Sequence, residues 1–385
     1  MMLKNKKIAI IGGGPGGLTL ARLLQMQGLD IKVYERDFDE TARQQGATLD
    51  LHEQSGLAAL RQANLMDQFY ATYRPEAGKM RLLNESAVIH LDDHLAENKH
   101  IDLRPEIDRQ PLRDMLYQSL EPNTVVWNSQ FVEMEKQDDG WLIHFMNERS
   151  VYADLVIAAD GANSKIRPYL TNIKPIYSNI TIVEGNIYNA KNNAPTLWEL
   201  VKGGKIFALG NEQSIILSAK GEGSLSFYTG CKEDEHWATE SGIDFSNKRQ
   251  VAHWFKTSFA NWSNIWQELF STDEMWFVAR PQYHFPLNQH WISLPNLTML
   301  GDAAHRMPPY AGEGVNMAMQ DAMELAECLT STKYQNIHSA IAAFELQMQK
   351  RASEVTQHTL NNTELMHAKN GLQKLLDLFN QMREA

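Results

Sequence analysis

"KIAIIGGGPGGLTLARLLQMQGLDIKVYERD", residues 7–37, sets a glycine turn between two short apolar runs. Residues 7–11, KIAII, form the short β-branched, apolar run expected of a strand buried on both faces. Gly12, Gly14 and Gly17 then complete G-x-G-x-x-G. In that pattern the first glycine permits a tight turn. The second lets the backbone approach a pyrophosphate, and the third lets the helix pack close to the strand. The following helix puts Leu18, Ala21 and Leu24 on one face and stops at Gly28. "DIKVYE" is a second strand, and Glu35 ends it 18 residues after Gly17, the spacing at which an acid accepts hydrogen bonds from an adenosine ribose. The stretch predicts a bound adenine dinucleotide. An acid here leaves NAD and FAD both open and disfavours NADP, which meets an Arg or a small residue at this point.

Composition narrows the class. The chain has 385 residues, 43% hydrophobic and 22% charged, ordinary for a globular protein with room for two or three domains. Its net charge of −11 gives no support for binding nucleic acid. Only Cys231 and Cys328 occur, which makes no disulfide framework or metal cluster and suits a reducing cytoplasm. The run IAIIGGG imitates a signal-peptide core, but glycine breaks it after four residues and no cleavage site follows. No stretch approaches the roughly 18 apolar residues of a membrane helix, so sequons such as NES at 84–86 read as chance matches. The expectation is a cytoplasmic protein without membrane or nucleic-acid partners.

Further along, residues 101–120 read as a short strand and a helix that carries Arg109 and Arg113 on one face, near the phosphate site. Residues 122–156 read as a β-meander leading to the buried strand DLVIAAD, which Asp160-Gly161 closes. Residues 171–280 hold short strands and many aromatics, the texture of a mostly antiparallel substrate sheet whose tryptophans belong to its core. A strand at 297–300 then ends at Gly301-Asp302. Ligands of open α/β sheets bind at such strand ends, where the Asp302 carboxylate can accept from a ribityl hydroxyl. Gly312, Gly314, Val315 and Asn316 lie at the start of the next helix. Its N–H groups and positive dipole end would face a flavin's pyrimidine edge and stabilise negative charge there. A long helical region over about 335–383, with a break near Asn370-Gly371, ends the chain.

With these residues in view the chain resembles the class A flavoprotein monooxygenases of the para-hydroxybenzoate hydroxylase type. GGGPGGLTLARLLQMQGLDIKVYER, Asp160-Gly161 and GDAAHRMPPYAGEGVN at 301–316 look like that class's three fingerprints. Within the class, YERD…AR, GATLDLH, PEIDR and GDAAHRMPPYAGEGVN look closest to the tetracycline-inactivating monooxygenases of the TetX type. The resemblance covers essentially the whole chain. It implies FAD held by Glu35 and Arg36 at the adenosine, and by Asp50, Arg109 and Asp302. It also implies an NADPH contact at Arg43, and Pro309 and Gly312 lining the flavin on the substrate side. The implied chemistry is reduction of FAD by NADPH, O₂ addition at flavin C4a as a hydroperoxide, and oxygen transfer to an electron-rich carbon. The cofactor carries this chemistry. Accordingly no acid–base pair, nucleophile or metal set is demanded of the chain, and His305 reads as a structural part of its loop.

The substrate half departs from that family. Glu184, Lys205 and Ser226 stand where it places Gln, Arg and His to grip tetracycline. Glu lacks the amide donors of Gln, Lys lacks the planar fork of Arg, and Ser reaches less far than His. Asp160 stands where that family tends to carry Asn. Tetracycline-type antibiotics are the expected substrates, with a different aromatic substrate or a non-turning-over flavin sensor as alternatives. The W-x-W-x-I-P signature of flavin halogenases is absent, "HWISLP" at 290–295 being the nearest stretch. A simple oxidase would give stoichiometric peroxide and no oxygenated product.

The architecture expected is α/β. A Rossmann-like GR2-type FAD-binding domain spans 1–70, 98–171 and 280–330, and a mostly antiparallel substrate domain spans 71–97 and 172–279. A C-terminal helical region, 331–385, bridges the two, and the chain is expected to act as a monomer.

Overall fold

The computed structural model describes residues 2–42, 47–95 and 104–384. Its first layer is a five-stranded parallel sheet in the order Leu297–Met299, Leu155–Ala158, Ile8–Ile11, Ile31–Tyr34, Val125–Val126. Every residue of Ile8–Ile11 and Leu155–Ala158 is buried, because helices cover the faces of a parallel sheet and each strand then needs an unbroken apolar run. The Pro15–Met26 helix provides the first crossover and packs against the Gly314–Thr330 helix.

The predicted meander is real but shorter. Strands Phe131–Gln137, Gly140–Phe145 and Ser150–Ala153 form a three-stranded antiparallel sheet. Val125–Val126 instead pairs parallel with Val33–Tyr34 at the edge of the first sheet. Two residues of β-branched sequence cannot reveal which edge they will join, since pairing partner is a tertiary property.

The second layer is a seven-stranded sheet. Its order is Met275–His284, Ile176–Ile187, Leu225–Lys232, Gln213–Ala219, Lys205–Gly210, Met80–Asn84, Ile89–Asp92. All pairings are antiparallel except that between Lys205–Gly210 and Met80–Asn84. Alternation along the strands gives it two unlike faces. Val183, Ile206, Leu217 and Phe227 point into an apolar core that buries Trp254, Trp262 and Trp266, as read from the sequence. Trp276 departs from that reading. It pairs with Asn186 and so shares the opposite, more polar face.

A two-stranded ribbon, Leu49–Asp50 with Glu106–Ile107, lies between the two sheets. Arg74 ties it to the second sheet by donating to the Ala219 carbonyl (2.6 Å) and to Asp108 Oδ1 (3.3 Å), and Asp108 Oδ2 accepts from Gly221 N (2.8 Å). The C-terminal region is two helices. Ile337–Met366 opens with a capping box at Asn336 and packs against Gly314–Thr330. Gly371–Glu384 lies on the second sheet at the strands Met80–Asn84 and Lys205–Gly210. The break falls at 367–370, next to the expected Asn370-Gly371.

Candidate functional site

At the dinucleotide end the glycines divide into two kinds. A Cβ on Gly12 (φ +114°) would stand 2.2 Å from the Ala159 carbonyl oxygen, and one on Gly17 would stand 2.1 Å from that of Gly12. Strand and helix cross too closely there for any side chain. A Cβ on Gly14 would meet nothing within 4 Å, so the helix N-terminus opens on free space, the cradle a pyrophosphate needs. Glu35 is buried at the end of its strand. It accepts from Gly13 N (2.6 Å) and Asp37 N (2.9 Å), within the roughly four bonds a carboxylate can take.

Arg36 is exposed beside Glu35. Arg113 is buried, paired with Asp37 (3.2 Å) and stacked on Trp127, with Nη1 lacking a partner. Its helix neighbour Arg109 donates to the Ala47 carbonyl (3.2 Å). Asp160 accepts from Lys165 N (2.9 Å) through Oδ2, while buried Oδ1 has no partner, and burial pushes its pKa up. Arg43 lies outside the described residues.

At the other end, Asp302 is solvent-exposed, yet protein surrounds it closely. Desolvation by the surrounding protein raises its pKa against the pull of His305, Arg306 and Arg109. The turn that presents it is anchored from below. Gly301 N donates to Asp321 Oδ2 (2.8 Å), the same oxygen that pairs with His305 Nε2 (2.5 Å), and Arg351 closes the network on Asp321 Oδ1 (2.5 Å). Arg167 donates to the carbonyls of Ala303 (3.1 Å) and Ala304 (2.9 Å). His305 is thus fully engaged on one nitrogen in a buried network. Asp321, Arg351 and Arg167 were not singled out in the sequence, where nothing marks a buried network spread over 180 residues.

Pro309, Gly312 and Gly314 are exposed, Val315 is half-buried and Asn316 is buried. The Asn316 amide joins three segments. Its Nδ2 donates to the Asp50 carbonyl (2.8 Å), and its Oδ1 accepts from His52 N (2.9 Å) and Ser55 Oγ (3.2 Å). His52 completes the group by pairing with Asp50 Oδ2 (3.1 Å) and Glu313 Oε2 (3.4 Å). Burial lowers its pKa, but the two carboxylates outweigh this and raise it to about 9. The signal for His52 was its place two residues after Asp50 in TLDLH.

The structure places Glu184, Lys205 and Ser226 on one face of the seven-stranded sheet. Asn186, Ser226, Ser218 and Lys205 stand directly opposite one another across four strands. Glu184 shares that face, two residues from Asn186, and is bonded to Arg280 (2.5 Å). Lys205 is bonded to Glu106 of the ribbon. Three buried atoms here lack partners: Asn186 Nδ2, Ser226 Oγ and Glu106 Oε2. Burial pushes the Glu106 pKa up, with Lys205 opposing and Asp50 adding to it. Glu106 and Asn186 were missed by sequence reasoning, although Glu106 lies inside the quoted PEIDR.

No group of three or more His, Cys, Asp or Glu among the described residues could hold a metal. An open pyrophosphate cradle, an acid at each strand end and a polar helix start instead fit an extended dinucleotide. The sequence matches the family described as FAD binding domain over residues 5–359. The chain belongs to that family. It is an FAD-dependent monooxygenase of class A.

Among its relatives is 3-amino-4-hydroxybenzoate 2-monooxygenase PtmB3 of Streptomyces platensis, 27% identical, with 84% of this chain and 79% of the relative aligned. The fold is shared with Klebsiella pneumoniae HpxO complexed with FAD and uric acid (TM-score 0.76, 20% identity, 100% and 94% of the two chains covered). It is shared equally with the tetracycline destructase Tet(55) (TM-score 0.75, 18% identity, 94% and 90% covered). Likeness to tetracycline destructases is therefore one of several at the same level, which corrects the expectation that they stand nearest. The FAD-dependent monooxygenase has no described helix long and apolar enough to cross a membrane.

Proposed function

We propose that this monooxygenase hydroxylates an electron-rich aromatic small molecule bound against the polar face of the seven-stranded sheet. The observation that carries the reading is the row Asn186–Ser226–Ser218–Lys205, whose buried unpartnered donors on Asn186 and Ser226 need an acceptor. The relative PtmB3 is named for a phenolic substrate, which supports an aromatic ring carrying oxygen groups.

Bound FAD supplies the activation of O₂ and the transfer of one oxygen atom. The chain's own residues do the rest. Gly12 to Gly17 and the dipole of the Pro15–Met26 helix would hold the pyrophosphate, and Glu35 with Arg36 the adenosine. Asp302 would hold the ribityl chain, with Asp50, Asp160, Arg109 and Arg113 around the cofactor. Gly312, Gly314, Val315 and Asn316 would face the flavin's pyrimidine edge, and Pro309 its substrate side. Glu184, Lys205 and Ser226 would orient the substrate. NADPH would act as reductant near Arg43. We take the protein to work as a monomer in the cytoplasm, a reducing compartment that suits its two buried free cysteines.

Tetracycline remains a second reading, favoured by the motif string 301–316 and weakened by the altered sheet residues. The test is NADPH oxidation by the FAD-loaded enzyme with 3-amino-4-hydroxybenzoate, uric acid or tetracycline, with mass spectrometry of each compound. Stimulated oxidation and a product about 16 Da heavier, one oxygen gained by the flavin route, identify a substrate. Stimulation by tetracycline alone would overturn the main reading.

A further inference from the structure

Asp50 and Glu313 bring two carboxylates to the start of the Gly314–Thr330 helix, the end that must accommodate negative charge on a reduced flavin. Left alone, they would oppose that charge. His52 stands between them, Nε2 on Asp50 Oδ2 (3.1 Å) and Nδ1 on Glu313 Oε2 (3.4 Å). The Asp50 contact is a hydrogen bond and the Glu313 contact an ion pair, and between two carboxylates the ring is held as an imidazolium, its pKa raised to about 9. Its side chain is 15% exposed, and its backbone N–H is fixed by Asn316, so neither its charge nor its place is loose. The other cations near Asp50 do not replace it. Arg104 is 60% exposed at 3.8 Å, and Lys205 is committed to Glu106.

We propose that His52 is a positioning residue for the cofactor: paired through its two ring nitrogens with Asp50 and Glu313, it cancels acid charge where the reduced flavin ring would rest. The proposal rests on the reading that the pyrimidine edge lies at this helix start. His52 touches Asp50 and Glu313, and acts on the cofactor through their field.

The test is the two-electron reduction potential of the FAD-loaded protein, with the absorbance spectrum of its reduced flavin at neutral pH. His52→Gln removes one positive charge, so the potential becomes more negative and the reduced spectrum shifts from the anionic toward the neutral form. Glu313→Gln removes one negative charge and leaves His52 its Asp50 partner, so the potential moves the opposite way. His52→Lys restores the cation and returns the potential toward wild type. Unchanged potentials in H52Q and E313Q overturn the proposal, and so do shifts of the same sign, which mean mere disturbance. Should H52Q fail to take up FAD, E313Q alone decides by its sign. Asp302→Ala tests the flavin's placement separately. Retained FAD binding and potential in D302A sinks that placement, whereas loss of FAD in D302A with unmoved H52Q and E313Q sinks only the role of His52.

Discussion

The ammonium of Lys205 is bonded to the carboxylate of Glu106, joining the seven-stranded sheet to the ribbon beside the parallel sheet. Glu106 is almost fully buried and Lys205 nearly so, at 3% and 18% side-chain exposure. One partner without the other leaves a charge with little water. Lys205→Met should therefore destabilise the protein by about 3 kcal/mol, the usual cost of orphaning a buried ion. Adding Glu106→Gln should recover part of that loss. Thermal melts of the two variants check this, and equal melting temperatures for K205M and wild type would show the pair to be inert.

The fingerprint glycines should separate by role. Gly17→Ala forces a Cβ to 2.1 Å from a backbone oxygen that cannot yield, so its product should melt well below wild type or fail to fold. Gly14→Ala meets no protein atom and keeps an ordinary φ of −78°. Its apoprotein should melt within about 1 kcal/mol of wild type, a helix-cap effect. Its FAD affinity should fall at least tenfold, about 1.4 kcal/mol, because the methyl occupies the approach to the pyrophosphate. Titration of each apoprotein with FAD, followed by quenching of flavin fluorescence, reads the difference.

Asp321 accepts from His305, Gly301 N and Arg351 with no exposed surface. Burial alone would raise its pKa, but its contacts with His305, Arg351 and the Gly301 N–H outweigh that and hold it down. Asp321→Asn removes one of the two carboxylates that face Arg351, which keeps its pair with Glu324 (2.5 Å), and sets an amide donor against the donors that converge on Asp321. The expected loss is about 2 kcal/mol, the order of a hydrogen bond to a charged group, with weaker FAD binding because the Asp302 turn loses its anchor. Denaturant unfolding of the apoprotein and FAD titration check the two effects independently.

Local chemistry made the cofactor half legible. The Gly12–Gly17 turn, Glu35, Asp302 and the helix start at Gly314 are each specified by a few consecutive residues, and the structure builds the elements where spacing puts them. The shared face of Glu184, Lys205 and Ser226 was reachable only through the resemblance. The strands of Lys205, Ser218 and Ser226 are sequence neighbours, but Asn186 pairs with Ser226 across 40 residues, and no periodicity shows which face the row shares. The same holds for Glu106 against Lys205 and for His305, Asp321 and Arg351. Each is an unremarkable polar residue until the fold removes water from it. Trp276 shows the limit from the other side: its aromatic character argued for core, but strand parity turned it to the polar face.

His367 gives the fold a pH dependence of predictable sign. It is buried, and its Nδ1–H donates to the Thr363 carbonyl (2.8 Å). Nε2 is then the acceptor for Ser214 Oγ (3.1 Å) and the Tyr310 hydroxyl (3.4 Å), joining the second sheet to the loop after Pro309. Burial holds its pKa down at about 4, against about 6.5 in an unfolded chain. Between those values the unfolded chain binds a proton that the folded chain refuses. Stability should therefore fall as the pH drops from about 6.5 toward 4, and this one group accounts for about 3 kcal/mol at the lower end. His52 works in the opposite sense. With its pKa raised to about 9, its contribution is complete below about 6.5 and is lost as the pH rises through 9. His367→Asn should cost stability at neutral pH and flatten the acid limb between 6.5 and 4, leaving the alkaline limb as in wild type. Urea midpoints measured across that range decide it. An acid limb as steep in H367N as in wild type would assign the loss to carboxylates elsewhere, and the Tyr310–His367–Ser214 junction would then stand as packing without a titrating centre.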